Sequence, residues 1–194
     1  RARGEDRRGV IPNMTSIHQR PPEINERVIP GHWEGDLIKG ARNASSIGTL
    51  VERTTLFVTL AKMTDATADA AVTAFSSVLN RIDAQQRLSM TYDQGREMAQ
   101  HERLSEITGV AVYFADPHSP WQRGINENTN GLLRQYFPKG SDLSAFSQAE
   151  LDAVAWQLNT RPRKSLNFRC PAELFMPNTF DFFKHHHQLV ALRT

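Results

Sequence analysis

The pattern of apolar and polar positions predicts five short strands in this chain, the last of them a continuous apolar run. The five segments are His32–Lys39, Ser46–Arg53, Leu56–Met63, Leu88–Tyr92 and Val110–Ala115. Val51, Phe57 and Val58 are of the β-branched and aromatic types that strands favour. Because only Thr54 and Thr55 separate the second segment from the third, these two segments predict a β-hairpin.

Apolar residues at helical spacing predict helices between and after these strands. The first predicted helix is capped by Asp65 or Thr67 and continues to about Ile82. The others are Arg96–Thr108 before Gly109, Asn126 to about Tyr136, a helix that begins with a capping box at Ser147–Glu150 and ends near Asn159, and a last turn at Pro171–Phe175. This order predicts an α/β fold with a mixed five-stranded sheet and helices on both faces.

The same pattern suggests one domain with an extension at each end. Residues 1–30 contain four prolines and little periodicity, which is typical of an arm that lies on the domain or follows an upstream domain. We expect the folded domain at residues 31–176 and a tail at 177–194. The chain begins without Met, so we interpret it as part of a longer protein.

Composition narrows the possible functions only a little. The formal net charge of +2 neither demands nor excludes a nucleic-acid partner, so a binding surface would depend on local clustering of charge. Cys170 is the only cysteine, which excludes an intrachain disulfide and a cysteine-based zinc site and fits a cytoplasmic location. No apolar run approaches the roughly 20 residues of a membrane span. Three adjacent histidines, 185–187, do not build a fixed metal site.

Three carboxylates occupy positions that suit a magnesium site, since this cation prefers oxygen ligands around one cleft. Asp36 lies inside the first predicted strand, where aspartate is disfavoured, and alternation places Glu34 on the same face. Asp93 follows the fourth predicted strand, and ligands of α/β sheets gather at the carboxyl ends of strands. Glu127 lies early in a predicted helix whose first turns are polar.

Each of these positions also has a purely structural interpretation. An acid in a strand protects a sheet edge, an acid before glycine is a common turn residue, and a glutamate in a first helical turn opposes the helix dipole. Spacing and periodicity alone therefore predict an α/β domain with a possible metal site.

Two motifs resemble those of the retroviral integrase superfamily. Tyr92–Met98, YDQGREM, is similar to the superfamily's aspartate–asparagine–glycine–x–glutamate–phenylalanine motif, with Gln94 in place of the asparagine. Pro120–Glu127, PWQRGINE, resembles the stretch that carries the superfamily's catalytic glutamate, and 33 residues separate Asp93 from Glu127. Asn130 and Arg134 follow Glu127 at offsets that match the superfamily pattern.

A finer resemblance is to bacterial insertion-sequence transposases of the IS-thirty (IS30) family, over roughly residues 17–175. It is carried by Gly31–Ile38, Asn126–Gly140, Asn159–Lys164 and Pro171–Glu173. The N-terminal helix-turn-helix region that is typical of this family is absent from this chain.

The resemblance implies a ribonuclease-H-like fold in which Asp36, Asp93 and Glu127 converge on one cleft. It implies phosphoryl transfer on DNA with two Mg²⁺ ions, for which Mn²⁺ can substitute, with Asp36 contacting both ions. The expected partners are double-stranded DNA, as terminal inverted repeats and target, and further copies of the chain assembled on it. The expected location is the bacterial cytoplasm, at the nucleoid, with no membrane partner.

Several other residues are candidates for DNA contact or support of the site. Arg134 lies two helical turns after Glu127 and is either a phosphate contact or a solvated arginine. The basic residues expected to follow DNA phosphates, or to form a solvated tail, are Lys139, Arg161, Arg163, Lys164 and Arg169. Glu34 and Asn130 are accessory candidates, and Glu34 could equally form an ion pair.

Three smaller expectations concern residues near the carboxylates. Trp121 either stacks on a base or anchors its loop by packing. Glu97 either orients the loop after Asp93 or is solvated, and His101 is expected to pair with it across one helical turn.

Three other protein classes remain as alternatives. A ribonuclease-H-like resolvase or exonuclease would use the same carboxylates without joining strands. An inactive transposase remnant would bind DNA or protein, although all three carboxylates are present here. A purely structural α/β module would leave Asp36 unexplained.

Overall fold

The structure, a computed structural model, describes residues 11–184. Its five strands form one sheet in the order β3-β2-β1-β4-β5. They are β1 (His32–Lys39), β2 (Ser46–Glu52), β3 (Val58–Lys62), β4 (Ser89–Tyr92) and β5 (Ala111–Phe114). The pairs β1–β2 and β2–β3 are antiparallel, which confirms the hairpin, whereas β1–β4 and β4–β5 are parallel.

The helices cover both faces of this sheet, as predicted. They are α1 (Glu23–Glu26), α2 (Ala68–Leu79), α3 (His101–Thr108), α4 (Gly124–Leu133), α5 (Gln148–Asn159) and α6 (Pro171–Phe175). On one face Trp33, Leu37 and Tyr92 pack against α2 and α3. On the other face Ile38 and Val51 pack against α4 and α5. Because successive side chains of β1 point to opposite faces, Leu37 enters one buried layer and Ile38 the other.

Local signals placed several helix ends correctly. Thr67 caps α2 and Asp65 in turn accepts the backbone N–H of Thr67. The capping box of Ser147 and Glu150 begins α5, and Gly109 ends α3 with a φ of 76°. At this φ glycine avoids the steric cost that a side chain would carry.

Two predicted helix bounds were wrong. The segment predicted as one helix from Arg96 is a 3₁₀ turn, Arg96–Met98, and then α3, because Gln100 has a non-helical backbone. The helix predicted to begin at Asn126 begins at Gly124, after a 3₁₀ turn at Pro120–Arg123, and it ends at Leu133. In both places contacts with distant residues, described below, hold the backbone.

The described part of the arm, residues 11–30, contacts the edge strand β5 near Ser16 and the neighbouring strand β4 at Arg20. Ser16 forms a parallel bridge with Phe114 of β5, and Arg20 donates from Nη1 to Thr91 Oγ1 at 2.8 Å. Burial and the nearby Arg53 lower the pKa of Arg20 to about 10. The arm thus covers the edge strand that would otherwise present unpaired backbone groups.

Candidate active site

Asp36 and Asp93 lie level with each other on neighbouring strands. The parallel register of β1 and β4 pairs Glu34 with Thr91. Two positions further along each strand, Asp36 stands beside Asp93, the first residue after β4. The sheet therefore brings together two carboxylates that are far apart in the sequence.

The guanidinium of Arg123 joins these two aspartates. Its Nη2 donates to Asp93 Oδ2 at 3.1 Å, and its Nη1 lies 3.5 Å from Asp36 Oδ2. Nη1 also donates to the carbonyl oxygen of Gly35 at 3.1 Å. The Arg123 side chain is only 9% exposed. The Asp36 side chain is 24% exposed and that of Asp93 is 41% exposed. The attraction of the buried guanidinium should therefore be stronger for Asp36 than for the more solvated Asp93.

Glu34 fixes the start of α4, the helix that carries Glu127. Its Oε2 accepts the backbone N–H groups of Ile125 at 3.1 Å and Asn126 at 3.0 Å, and its Oε1 lies 3.2 Å from Nε of Arg53. N–H groups of a first helical turn have no partner within the helix, and the helix dipole favours an anion there. Of the two interpretations of Glu34, the structure shows the ion pair, which Glu34 forms with Arg53. It also shows that Glu34, a residue of β1, caps the N-terminus of α4.

Two asparagines connect α4 to the sheet. Asn126 is fully buried, donates from Nδ2 to the carbonyl oxygen of Glu34 at 2.7 Å and accepts from Thr49 Oγ1 at 3.1 Å. Asn130 donates from Nδ2 to Asp36 Oδ2 at 3.1 Å. The other amide atom of Asn130, Oδ1, is buried without a hydrogen-bond partner, so an unused acceptor lies beside Asp36.

Glu127 lies on the same side of α4 but outside this network. It comes four residues after Arg123 and three before Asn130, and residues at these spacings share a helix face. Its side chain is exposed. Across residues 11–184, no three His, Cys, Asp or Glu side chains lie close enough to hold a metal ion. The structure thus brings Asp36 and Asp93 together, whereas Glu127 does not come close enough to join them in a group of three carboxylates.

Burial makes the ionised form of Asp36 unfavourable. Burial raises the pKa of Asp36 above its usual 3.8, with the charges of Asp93 and Glu97 acting in the same direction and Arg123 opposing them. Burial, with the charge of Glu97, also raises the pKa of Tyr92 well above its ordinary value. The Tyr92 hydroxyl therefore stays protonated and donates to Glu97 Oε1 at 3.2 Å.

An Asp36→Asn substitution is expected to raise the melting temperature of the metal-free protein at pH 7. A raised folded-state pKa contributes stability below the usual value of 3.8, and this contribution is lost as the pH rises through the folded value. The neutral amide removes that loss, and the unused Asn130 Oδ1 can accept its N–H after an amide flip. Thermal melts in chelator should show a gain at pH 7 that shrinks towards pH 4. A lower melting temperature at pH 7 would contradict this account.

The predicted DNA contacts do not all lie in one place. Arg134 donates from Nη1 to the carbonyl oxygens of Lys39 and Phe137, both at 3.3 Å, so it is not simply a solvated helix arginine. Arg163 is half-buried and donates to the carbonyl oxygen of Leu158 at 3.5 Å. The remaining basic candidates are exposed: Lys139, Arg161, Lys164 and Arg169.

Two of the smaller interpretations were wrong, namely loop packing by Trp121 and the pairing of His101 with Glu97. Trp121 is 74% exposed, so it does not anchor its loop by packing. His101 does not pair with Glu97, because the break at Gln100 places its ring against the carbonyl oxygens of Met98 and Asn13, at 3.2 and 3.4 Å. Glu97 accepts a hydrogen bond from the Tyr92 hydroxyl. Of its two interpretations, this contact favours the one in which Glu97 orients the loop after Asp93. Residues 185–187 lie outside the described part of the chain.

Sequence reasoning overlooked Arg123 and Asn126 as individual residues. Arg123 stood inside a quoted motif, but nothing in its spacing predicts contact with two aspartates. Asn126 did carry a signal, because it shares helical spacing with Thr129 and Leu133, and all three are buried. A polar residue on the buried face of a helix needs a hydrogen-bonding partner, and the Asn126 amide finds its partners on β1 and β2.

The arrangement of sheet and helices is shared with retroviral integrases. The chain is similar to a simian T-cell lymphotropic virus intasome in complex with PP2A regulatory subunit B56 gamma, with a TM-score of 0.61 and 18% identity, over 76% of this chain and 55% of that chain. It is also similar to the catalytic core domain of BIV integrase, with a TM-score of 0.55 and 17% identity, over 81% of this chain and 97% of that one. This is the ribonuclease-H-like fold of integrase catalytic cores, which confirms the predicted fold class.

Sequence similarity identifies the family. The chain is 63% identical over 174 residues to the transposase for insertion sequence element IS1086 of Cupriavidus metallidurans, which is 90% of this chain and 51% of that protein. It is 47% identical over 164 residues to transposase InsI for insertion sequence element IS30A of Escherichia coli, 84% of this chain and 43% of that one. The chain belongs to the IS30 family of bacterial insertion-sequence transposases. It spans about half the length of these curated relatives, and no protein-family model matches it.

Within residues 11–184, every helix is too short or too polar to cross a lipid bilayer.

Proposed function

We propose that this chain is the catalytic domain of a DNA transposase that cuts the ends of its insertion element and joins the 3′-hydroxyl ends to target DNA. The observation that carries the proposal is the pair Asp36 and Asp93, set level on adjacent strands and bridged by Arg123. Similarity to insertion-sequence transposases and to integrase cores supports the reaction class.

The residues at this place suit a hard divalent cation. Carboxylate and amide oxygens are the ligands that Mg²⁺ prefers, and Asn130 Oδ1 is a buried acceptor without a partner next to Asp36. In the proposed site Asp36 would hold both ions, and Asp93 and Glu127 one each. Two bound ions would supply an activated nucleophile and charge stabilisation at the leaving 3′-oxygen. Mn²⁺ should substitute, since it accepts the same oxygen ligands.

The protein's own side chains have distinct parts in this proposal. Arg123 keeps Asp36 and Asp93 together at the level of the sheet. Glu34 and Asn126 hold the N-terminal turn of α4, the helix that carries Glu127, against β1, the strand that carries Asp36. Asn130 orients the carboxylate of Asp36 from the same helix. Such supporting contacts matter, because small displacements of metal ligands reduce activity strongly.

The proposed partners are double-stranded DNA, as element ends and target, and further copies of the protein. A neighbour in fold is an intasome, which supports action as an oligomer on DNA. Arg134, Lys139, Arg161, Arg163 and Lys164 remain proposed DNA contacts, and the proposed location is the bacterial cytoplasm, at the nucleoid.

The test is a joining assay with the full-length protein and DNA that carries an exposed 3′-hydroxyl end. Products are compared with Mg²⁺, with Mn²⁺ and with chelator, for the native protein and for Glu127→Gln. The matched control is Glu106→Gln, which changes an exposed glutamate on α3. We expect metal-dependent joining that falls at least about a hundredfold in Glu127→Gln and is unchanged in the control.

The same assay separates the alternatives. Nicking without joining would favour a ribonuclease-H-like nuclease, which shares the carboxylates but not strand transfer. Native joining in Glu127→Gln would remove Glu127 from the reaction centre. DNA binding with neither nicking nor joining in the full-length protein would favour an inactive remnant.

A further inference from the structure

A groove of about 1020 Å³ runs along the flank of α4 that faces away from Asp36. Its walls come from the end of α1, from the turn between β2 and β3, from α4 and from residues 163–166. Four of its lining residues are basic, and among the described residues that line it none is acidic. The four are Arg27, Arg53, Arg163 and Lys164.

These four side chains differ in how much charge they offer to a ligand. Arg53 is buried and its charge is matched by Glu34. Arg163 is half-buried, and its Nε is buried without a hydrogen-bond partner. Arg27 and Lys164 are exposed. The groove thus presents two solvated cations and a partly satisfied guanidinium, which suits a ligand with several spaced anions rather than one deeply bound ion.

The outer surface of α4 connects this groove to the aspartates. Gly124 and Asn128 share the face of α4 that lines the groove, and Glu127 is rotated by about 100° round the helix from Asn128. Gly131 is in the helix interior, where glycine weakens a helix relative to alanine. A Cβ at Gly124 or Gly131 would meet nothing within 4 Å, and neither has a positive φ, so internal packing does not explain them. We call the exposed surface of α4 at Gly124 and Gly131 the ridge. Because glycine has no side chain, another backbone can approach the helix closely there.

We propose that this groove binds phosphates of the DNA strand next to the phosphate that reacts at Asp36 and Asp93, with the strand crossing the ridge of α4. The inference rests on the proposed function, because it takes the reacting polymer to be DNA. The α-helix is about 10 Å across. The groove should therefore contact a phosphate that lies only a few nucleotides from the reacting one.

The first test measures how DNA binding by the full-length protein depends on salt, in chelator, so that no chemistry is required. Arg27→Gln combined with Lys164→Gln removes two exposed charges of the groove. The control, Arg81→Gln with Arg103→Gln, removes two exposed charges that are paired with Asp152 and Asp69 elsewhere. Two lost phosphate contacts should reduce the slope of log K against log salt by about 1.8, whereas the control should leave it unchanged. Equal slopes in the two double variants would contradict the binding of DNA phosphates by the groove.

The second test separates binding from stability. Gly131→Leu places a side chain in open space on the ridge, so it should raise the melting temperature by about 2–4 °C. The same change should weaken DNA binding at least tenfold, because it blocks the approach of the strand. If the variant is more stable and binds DNA as well as the native protein does, the DNA strand does not cross the ridge of α4.

The third test locates the phosphates. Methylphosphonates are placed one at a time at the first few phosphates from the reacting end. At one of these positions the methylphosphonate should weaken binding by the native protein and have no effect on the Arg27→Gln and Lys164→Gln double variant. Loss of binding in both would place the contact elsewhere. Failure of the proposed function would appear differently, as absent joining by native protein whose DNA binding still depends on the groove residues.

Discussion

An Asp93→Asn protein is expected to join 3′-ends at least about a thousandfold more slowly than the native protein, since metal stabilisation of the reacting phosphate is worth several kcal/mol. Asparagine keeps an oxygen that can accept the backbone N–H of Gly95, a bond of 2.9 Å in the structure. The loop after β4 should therefore keep its shape while the charge that would face a cation is lost. Single-turnover joining with Mg²⁺ measures the effect.

The matched control for this prediction is Asp69→Asn, which removes an exposed carboxylate of α2 that is paired with Arg103. It should join at the native rate. Melting temperatures of both variants, taken in chelator, establish that the fold is intact. Joining by Asp93→Asn within tenfold of native would mean that Asp93 takes no part in the reaction.

An Arg53→Met substitution is expected to lower the free energy of unfolding by about 3–5 kcal/mol, as loss of one partner of a buried ion pair does. Glu34 is 1% exposed and would keep a charge without its counterion. The Glu34 carboxylate also accepts N–H groups of the first turn of α4, so the substitution should also disturb the helix that carries Glu127. Urea unfolding at pH 7 gives the magnitude.

Two comparisons check the cause of this loss. Arg81→Met breaks the exposed pair with Asp152 and should cost no more than about 1 kcal/mol. Burial raises the pKa of Glu34, and loss of Arg53 should raise it further, so the deficit should shrink as the pH falls and Glu34 becomes protonated. Combining Arg53→Met with Glu34→Gln should recover part of the loss. A deficit independent of pH would point to lost packing rather than an unpaired charge.

The elements of the sheet could be predicted from the sequence because their signals are local. Alternation in His32–Lys39 matches β1 at both ends, and the capping box at Ser147 places the start of α5. The α4 start could not be predicted, because its first N–H groups are capped by Glu34, more than ninety residues earlier. A cap supplied by another strand leaves no trace in the helix's own sequence.

The candidate site could likewise be predicted only in part from the sequence. An aspartate inside a strand and another directly after a strand were visible in the sequence, and parallel pairing of β1 with β4 sets them level. The guanidinium between them was not visible, because it comes from a 3₁₀ turn whose direction depends on where α4 docks.

The sequence by itself determined the fold class, the strand positions and the two aspartates, since period-two alternation and strand-end acids depend on neighbouring residues. Tertiary structure alone decided which charges meet. It placed Arg123 between Asp36 and Asp93, buried Arg53 against Glu34, and gathered the cations of the α4 groove from the start, middle and end of the chain. Electrostatic and hydrogen-bonding partners are chosen by distance in space, and that distance is set only when the helices have packed on the sheet.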